Sequence, residues 1–185
     1  MKCIFELNTP TEEKSIALGE ASRIWHQFKT ELDSQERSEY DVFRKREFKS
    51  EPRLCFVLMP FDKSEDRSKP FMRVYKVIKA TVRKAGLRCK RADEIFGPTP
   101  IVQDIWGHIN KAILVIADLT GRNANVFYEI GLSHALPKKV VFLTQTMNDV
   151  PFDLKHIRYI EYRNTDAGRK KLARDLLRAI KVSLV

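Results

Sequence analysis

The segment Ala117–Leu132 holds the densest group of side chains able to do chemistry: Ala-Asp-Leu-Thr-Gly-Arg-Asn-Ala-Asn-Val-Phe-Tyr-Glu-Ile-Gly-Leu. Asp118 closes the apolar run Ile113–Ala117, which reads as a buried strand. Asn123 and Asn125 suit a turn followed by a helix N-cap. Glu129 comes four residues after Asn125, so the two share a helical face. This reading puts Glu129 in the first turn or so of the helix, where the helix N-terminus favours the ionised form. An ionised carboxylate in a cleft can attack, or shield, a positively charged sugar carbon. Cleavage of an N-glycosidic bond needs that, because its transition state resembles an oxocarbenium ion. The same acid would equally serve as a solvated group that stabilises its helix.

Other chemistries lack their residues. G-x-G-x-x-G and G-x-x-x-x-G-K-[ST] phosphate cradles are missing, as is a G-x-S-x-G nucleophile elbow. His26, His108, His134 and His156 show no metal-ligand spacing. Cys3, Cys55 and Cys89 are widely spaced and odd in number, which argues against a disulfide framework or a zinc site. The expectation is therefore no metal, no cofactor and a reduced, cytoplasmic setting. No apolar run approaches the ~20 residues of a membrane span, and the first residues carry no long apolar signal-like core.

The elements that must position these residues follow from length and pattern. The 185 residues, 43% hydrophobic, suffice for one domain with an appendage. Thr9-Pro10-Thr11-Glu12 forms a capping box, and Ala21, Trp25, Phe28 and Leu32 continue at helical spacing over about residues 10–33. Residues 34–52 are highly charged and read as a second helix or a connector, so residues 1–52 form an N-terminal helical arm. From residue 53 the pattern alternates. Leu54–Met59, Leu87–Cys89, Ile113–Ala117, Val140–Leu143 and Tyr159–Tyr162 read as strands. The charged stretch 62–69 reads as a loop, with a helix striped by Phe71, Val74, Tyr75 and Ile78 after it. Further helices fall near 101–112, 126–135 and 172–180. The expected fold of residues 53–185 is a doubly wound, flavodoxin- or Rossmann-like α/β domain with a five-stranded parallel sheet. Ligands bind such sheets beyond the carboxyl ends of the strands, that is, after Met59, Arg91, Ala117 and Leu143.

Phe56-Val57-Leu58-Met59-Pro60-Phe61, the segment Ala117–Leu136 and Lys139-Val140-Val141-Phe142-Leu143 together resemble the nucleoside 2-deoxyribosyltransferase-like group, itself similar to TIR domains. The resemblance spans about residues 53–162. It implies that Glu129, six residues after Asn123, is the catalytic nucleophile, since the family carries an acid or amide at the first position and a Glu-Leu-Gly-like run at the second. Asn123 stands where the family usually has an acid, and Asn125-Val126 replaces its Gly-Thr. Asp104, in Val102-Gln103-Asp104-Ile105-Trp106, is the nearest match to the family's base-contacting acid. Pro60 and Phe61 match the loop that lines the base pocket. Asn125 and the helix amides would take a sugar or phosphate group. Asp104 or Asp118 would protonate or hold the leaving base. Tyr128 and Trp106 suit either a base stack or the core, the core being the expected place.

Charge sharpens this. Residues 1–50 carry 9 basic and 10 acidic residues, so the remaining 135 hold +11 of the net +10. That excess favours a phosphorylated substrate, with Arg91 and Arg122 as phosphate contacts. Without a helix-turn-helix, zinc or RRM signature, nucleic acid is not the expected main ligand. The leading expectation is cleavage of an N-glycosidic bond in a nucleoside or nucleotide, by hydrolysis or transfer. A TIR-like NAD-hydrolysing effector of antiviral defence, active on assembly, and a non-catalytic nucleotide-binding module are the alternatives. The resemblance also implies a homo-oligomer.

Overall fold

The computed structural model describes residues 22–27, 29–30, 48–60, 65–95 and 101–184, with the backbone alone for 65–69. The chain divides into two compact units, Met1–Lys45 and Arg46–Val185. In the first, residues 22–27 and 29–30 are helical, as the capping-box reading expects, and the Thr30 hydroxyl donates to the His26 carbonyl at 2.7 Å. Trp25 of the apolar stripe and the adjacent Ile24 are exposed. The rest of the helix expected over 10–33, and most of the charged stretch 34–52, lie outside the described residues.

In the second unit the elements run β1 (Glu51–Leu58), α1 (Glu65–Lys84), β2 (Arg88–Arg91), α2 (Ile101–Lys111), β3 (Ala112–Asp118), α3 (Ala124–Ala135), β4 (Lys139–Thr144), β5 (Tyr159–Glu161) and α4 (Asp166–Ser183). All neighbouring strands pair in parallel, in the order β2-β1-β3-β4-β5. The order reverses between β1 and β3, which is where a doubly wound sheet opens a crevice at its carboxyl edge.

Two departures are local. Residues 65–69 are helical rather than loop. Charged residues such as Glu, Lys and Arg are good helix formers, so polarity alone does not mark a loop. Pro70 lies inside α1, and Asn164 donates from Nδ2 to its carbonyl at 3.0 Å. The first strand starts at Glu51 and includes Pro52, two residues before the expected boundary at 53. Pro is tolerated at the first positions of a strand, where its missing N–H removes no essential ladder bond.

The continuous apolar runs follow from burial on both sheet faces. Cys55, Val57 and Met59 face a core shared with Val74, Ile78 and Val82 of α1 and Leu172, Leu176 and Ile180 of α4. Leu54, Phe56 and Leu58 face the opposite core, with Ile105 and Ile109 of α2 and Val126 and Ile130 of α3. One helical layer is therefore α1–α4 and the other α2–α3. The second layer carries Glu129.

Candidate active site

A cavity of about 550 Å³ opens at the carboxyl edge of the sheet, at the strand-order reversal. Its wall takes Met59 from the end of β1, Ala92, Asp93 and Ile95 after β2, Ile101, Val102 and Ile105 from α2, and Asn123, Asn125, Val126, Tyr128, Glu129 and Leu132 around α3. The lining is mainly apolar, with a few polar groups converging on it, the composition expected of a small-molecule site.

Glu129 is the central group. It lies in the second turn of α3, since the helix begins at Ala124, and not in the first turn that the sequence suggested. It is only 8% exposed. Its carbonyl accepts from the Ser133 hydroxyl at 2.9 Å, but its carboxyl group has no hydrogen-bond or ion-pair partner among the described residues. Burial pushes the carboxyl up from 4.5 to about 7, because desolvation penalises the charged form. The expectation that the helix N-terminus holds this acid ionised is thus corrected. One turn further in, the dipole falls away and desolvation dominates.

Asn123 caps α3. Its Oδ1 accepts from the Asn125 amide at 3.0 Å and the Val126 amide at 3.3 Å. The amide at this position, where the resembled family carries an acid, thus spends its oxygen on the helix end and turns the rest of its side chain to the cavity rim. Asn125 is exposed at the same rim. Tyr128 also lines the cavity and is 52% exposed, so the core placement expected for it is wrong. One residue from Glu129 on the helix, it points to the open side of the wall. Trp106 is half-buried on α2 and is not part of the lining.

The sequence reading missed Asp93. This acid follows β2 by two residues, inside a short 3-10 turn at Ala92–Glu94, and it reaches the cavity wall. The buried Arg91 holds it through a two-point ion pair from Nε and Nη2. The Arg91 guanidinium lies 4.2 Å above the Tyr75 ring and touches the Met59 and Met72 sulfurs at 3.7 and 3.3 Å. Such a planar fork suits a buried bidentate pair. Arg91 is therefore spent on Asp93, which corrects the expectation that it contacts a phosphate. The signal for Asp93 was available: it sits just beyond the carboxyl end of a strand in a parallel sheet.

The remaining expected residues lie elsewhere. Asp118 is fully buried. It accepts from the Thr120 amide at 3.1 Å, the Thr120 hydroxyl at 2.6 Å and the Tyr162 hydroxyl at 2.7 Å. Burial raises its pKa against those bonds. Thr120 Oγ in turn accepts from the Gln145 amide at 3.1 Å. Asp118 therefore ties the ends of β3, β4 and β5 together and does not line the cavity. Asp104 sits in the first turn of α2, half-buried, on the helix whose Ile101, Val102 and Ile105 line the cavity; its carbonyl accepts from His108 Nδ1 at 2.7 Å. Arg122 is exposed with a left-handed φ of 52° and lines a different cavity with Met147 and Phe152. Pro60 is buried just beyond β1, and Phe61 lies outside the described residues. Among the described residues, the cavity wall carries two carboxyl groups and no Lys or Arg. Among the described residues, the domain's basic excess is thus not at this site.

No protein-family model and no curated protein matches the sequence. Solved structures do. A 2-desoxiribosyltransferase from Leishmania mexicana aligns at 17% identity and a TM-score of 0.43, over 51% of this chain and 66% of that one, just under two thirds. A 2-deoxyribosyltransferase from Bacillus psychrosaccharolyticus aligns at 17% identity and 0.49, over 62% and 90%. A CMP N-glycosidase from Clostridium botulinum aligns at 18% identity and 0.50, over 66% and 96%. The last match shows a shared fold, the doubly wound α/β architecture that the sequence led us to expect.

Proposed function

We propose that this protein cleaves the N-glycosidic bond of a nucleoside, with Glu129 as the nucleophile or shield of the anomeric carbon. One observation carries the reading: Glu129 is a buried carboxyl, with no partner among the described residues, in the wall of a mainly apolar cavity at the sheet's switch point. A carboxyl desolvated in a cleft, with no counter-charge among the described residues, marks a candidate ligand-binding group. The fold shared with a CMP N-glycosidase supports the reaction class by analogy.

In the proposed step the C1′–N bond breaks and its electron pair leaves with the base, which takes up a proton. The Glu129 carboxylate either bonds to C1′ or stabilises the cation there. Water then adds to C1′ and releases the sugar, or a second base takes its place. The apolar side chains of α2 flank the flat base, and Tyr128 offers its ring. Asp93, anchored by Arg91, is the acceptor for sugar hydroxyls or base N–H groups. The described wall holds no Lys or Arg to meet a phosphate, which favours an uncharged nucleoside over a phosphorylated one.

The test is release of free base from nucleosides, 5′-nucleotides and NAD, followed by chromatography, with Glu129→Gln run in parallel. Wild-type protein should release base from nucleosides. The variant should retain ligand affinity within a few-fold and lose turnover by at least about a thousandfold. The rate should rise about tenfold per pH unit up to about 7 and level off above it, as the nucleophile ionises. Turnover by the variant at the wild-type rate would refute the assignment; binding without any base release would make the site a nucleotide-binding module.

A further inference from the structure

The basic excess that bypasses the cavity is concentrated elsewhere. Seven basic against two acidic residues in α1, and six against two in α4, give this helical layer +9. The α2–α3 layer on the other sheet face has Lys111 against Asp104 and Glu129, a net of −1. Nearly all of the chain's +10 therefore resides on one face of the domain.

The placement is ordered. On α1, Arg73, Lys76 and Arg83 are exposed, in line with the small exposed Ala80 at spacings of three, four and three. On α4, Lys170, Arg174, Arg178 and Lys181 are exposed at spacings of four, four and three. Each set forms one stripe on its helix. None of these seven is in an ion pair among the described residues; the recorded pairs use Lys79, Arg88, Arg91, Arg169 and Lys171. The inward faces, Val74, Ile78 and Val82, and Leu172, Leu176 and Ile180, are buried against the sheet, so both stripes face outward. The two helices pack side by side and both run antiparallel to the strands. The stripes are thus two parallel rows, about 15 Å long at 1.5 Å per residue and about 10 Å apart.

We infer that the α1–α4 face docks the phosphate backbone of a nucleic acid duplex. Like charges brought this close repel one another, and an external polyanion relieves that repulsion. The rows supply what backbone contact needs, repeated cations without base-reading groups, which is why no recognition motif marks them in the sequence. An acidic membrane is the weaker match. A surface-lying helix buries an apolar face in lipid, whereas here those faces are committed to the core. This inference is independent of the chemistry proposed for Glu129.

A duplex presents one charge per ~1.7 Å, so about nine phosphates span the face, and about five of them meet it. Affinity for a fluorescein-labelled 20-base-pair duplex, followed by anisotropy with the full chain, should then fall about 500-fold between 50 and 200 mM KCl. Changing Lys170, Arg174, Arg178 and Lys181 together to Glu should remove binding at 100 mM KCl. Changing Lys49, Arg53, Lys155 and Arg158, also exposed but outside α1 and α4, alters net charge equally and should leave affinity within about fivefold. The α1 set Arg73, Lys76 and Arg83, changed to Gln, gives a second, milder reading, with circular dichroism verifying the fold of every variant. Equal loss in both quadruple variants would reduce the effect to net charge and overturn the proposal. So would binding to phosphatidylserine vesicles without binding to the duplex, or no binding to either.

Discussion

Glu129→Gln should stabilise the protein at pH 8 and leave it nearly unchanged at pH 5. The carboxyl moves from 4.5 in the unfolded chain to about 7 in the fold. Between those values the folded state binds more protons than the unfolded state, so stability falls as pH rises through the window. At 1.36 kcal/mol per pH unit, the ionised group costs the fold about 3 kcal/mol at pH 8 and about 0.8 kcal/mol at pH 5. Glutamine has nearly the same shape, stays neutral and leaves the neutral form's desolvation in place. The substitution should therefore add about 3 kcal/mol at pH 8, or roughly 10 °C in Tm for a unit of this size, and under about 1 kcal/mol at pH 5. Urea denaturation of both proteins at pH 5, 6, 7 and 8 measures the difference directly. A stability difference that does not change with pH would refute the argument, because it would mean that Glu129 is solvated or paired. A destabilising substitution at pH 8 would refute it more sharply. The same experiment bears on function, since an acid that weakens its own fold at physiological pH is characteristic of a working site.

Three further outcomes follow from the geometry. Tyr162→Phe removes the donor to Asp118 Oδ2 inside the core and should cost about 2 kcal/mol, read by denaturant unfolding. Asp93→Ala leaves the Arg91 guanidinium, 5% exposed, without its counter-charge and should cost about 3–5 kcal/mol; the double variant with Arg91→Met should recover much of that loss. Asn123→Ala removes the α3 cap and should cost about 1 kcal/mol, whereas Asn123→Asp should hold stability, since both are strong cap residues.

The sheet was legible because its strands bury both faces. Runs such as Leu54–Met59 and Ile113–Ala117 carry no polar residue, and only a parallel sheet covered by helices hides both sides of such runs. Boundaries were less legible where the signal was polarity alone. Residues 65–69 looked like a loop because they are charged, yet they begin α1. Local composition reports exposure there, and an exposed helix turn and an exposed loop share it.

The site divides along a similar line. Glu129, Asn123 and Asn125 were found because they sit in one segment, whose spacing fixes which side chains share a helical face. Asp118 was misplaced for a reason that no local pattern holds: its partner Tyr162 comes from a distant strand end, as does Gln145, which bonds Tyr162 and Thr120 in turn, and this network turns a strand-terminal acid inward. Arg91 follows the same logic in reverse. As a strand-end Arg in a basic chain it suggested a phosphate contact, but Tyr75 and the Met59 and Met72 sulfurs bury it, and a buried guanidinium must keep a carboxylate beside it. That carboxylate, Asp93, is consequently fixed at the cavity wall by the energetics of Arg91. The two acids of the cavity thus answer to opposite constraints: Asp93 is tied to an internal partner, whereas Glu129 has none among the described residues. That pairing of an ion-paired acid with a titrating carboxyl is what a strand-by-strand reading of the sequence cannot assemble, because it depends on two helices and the ends of two strands meeting at one crevice.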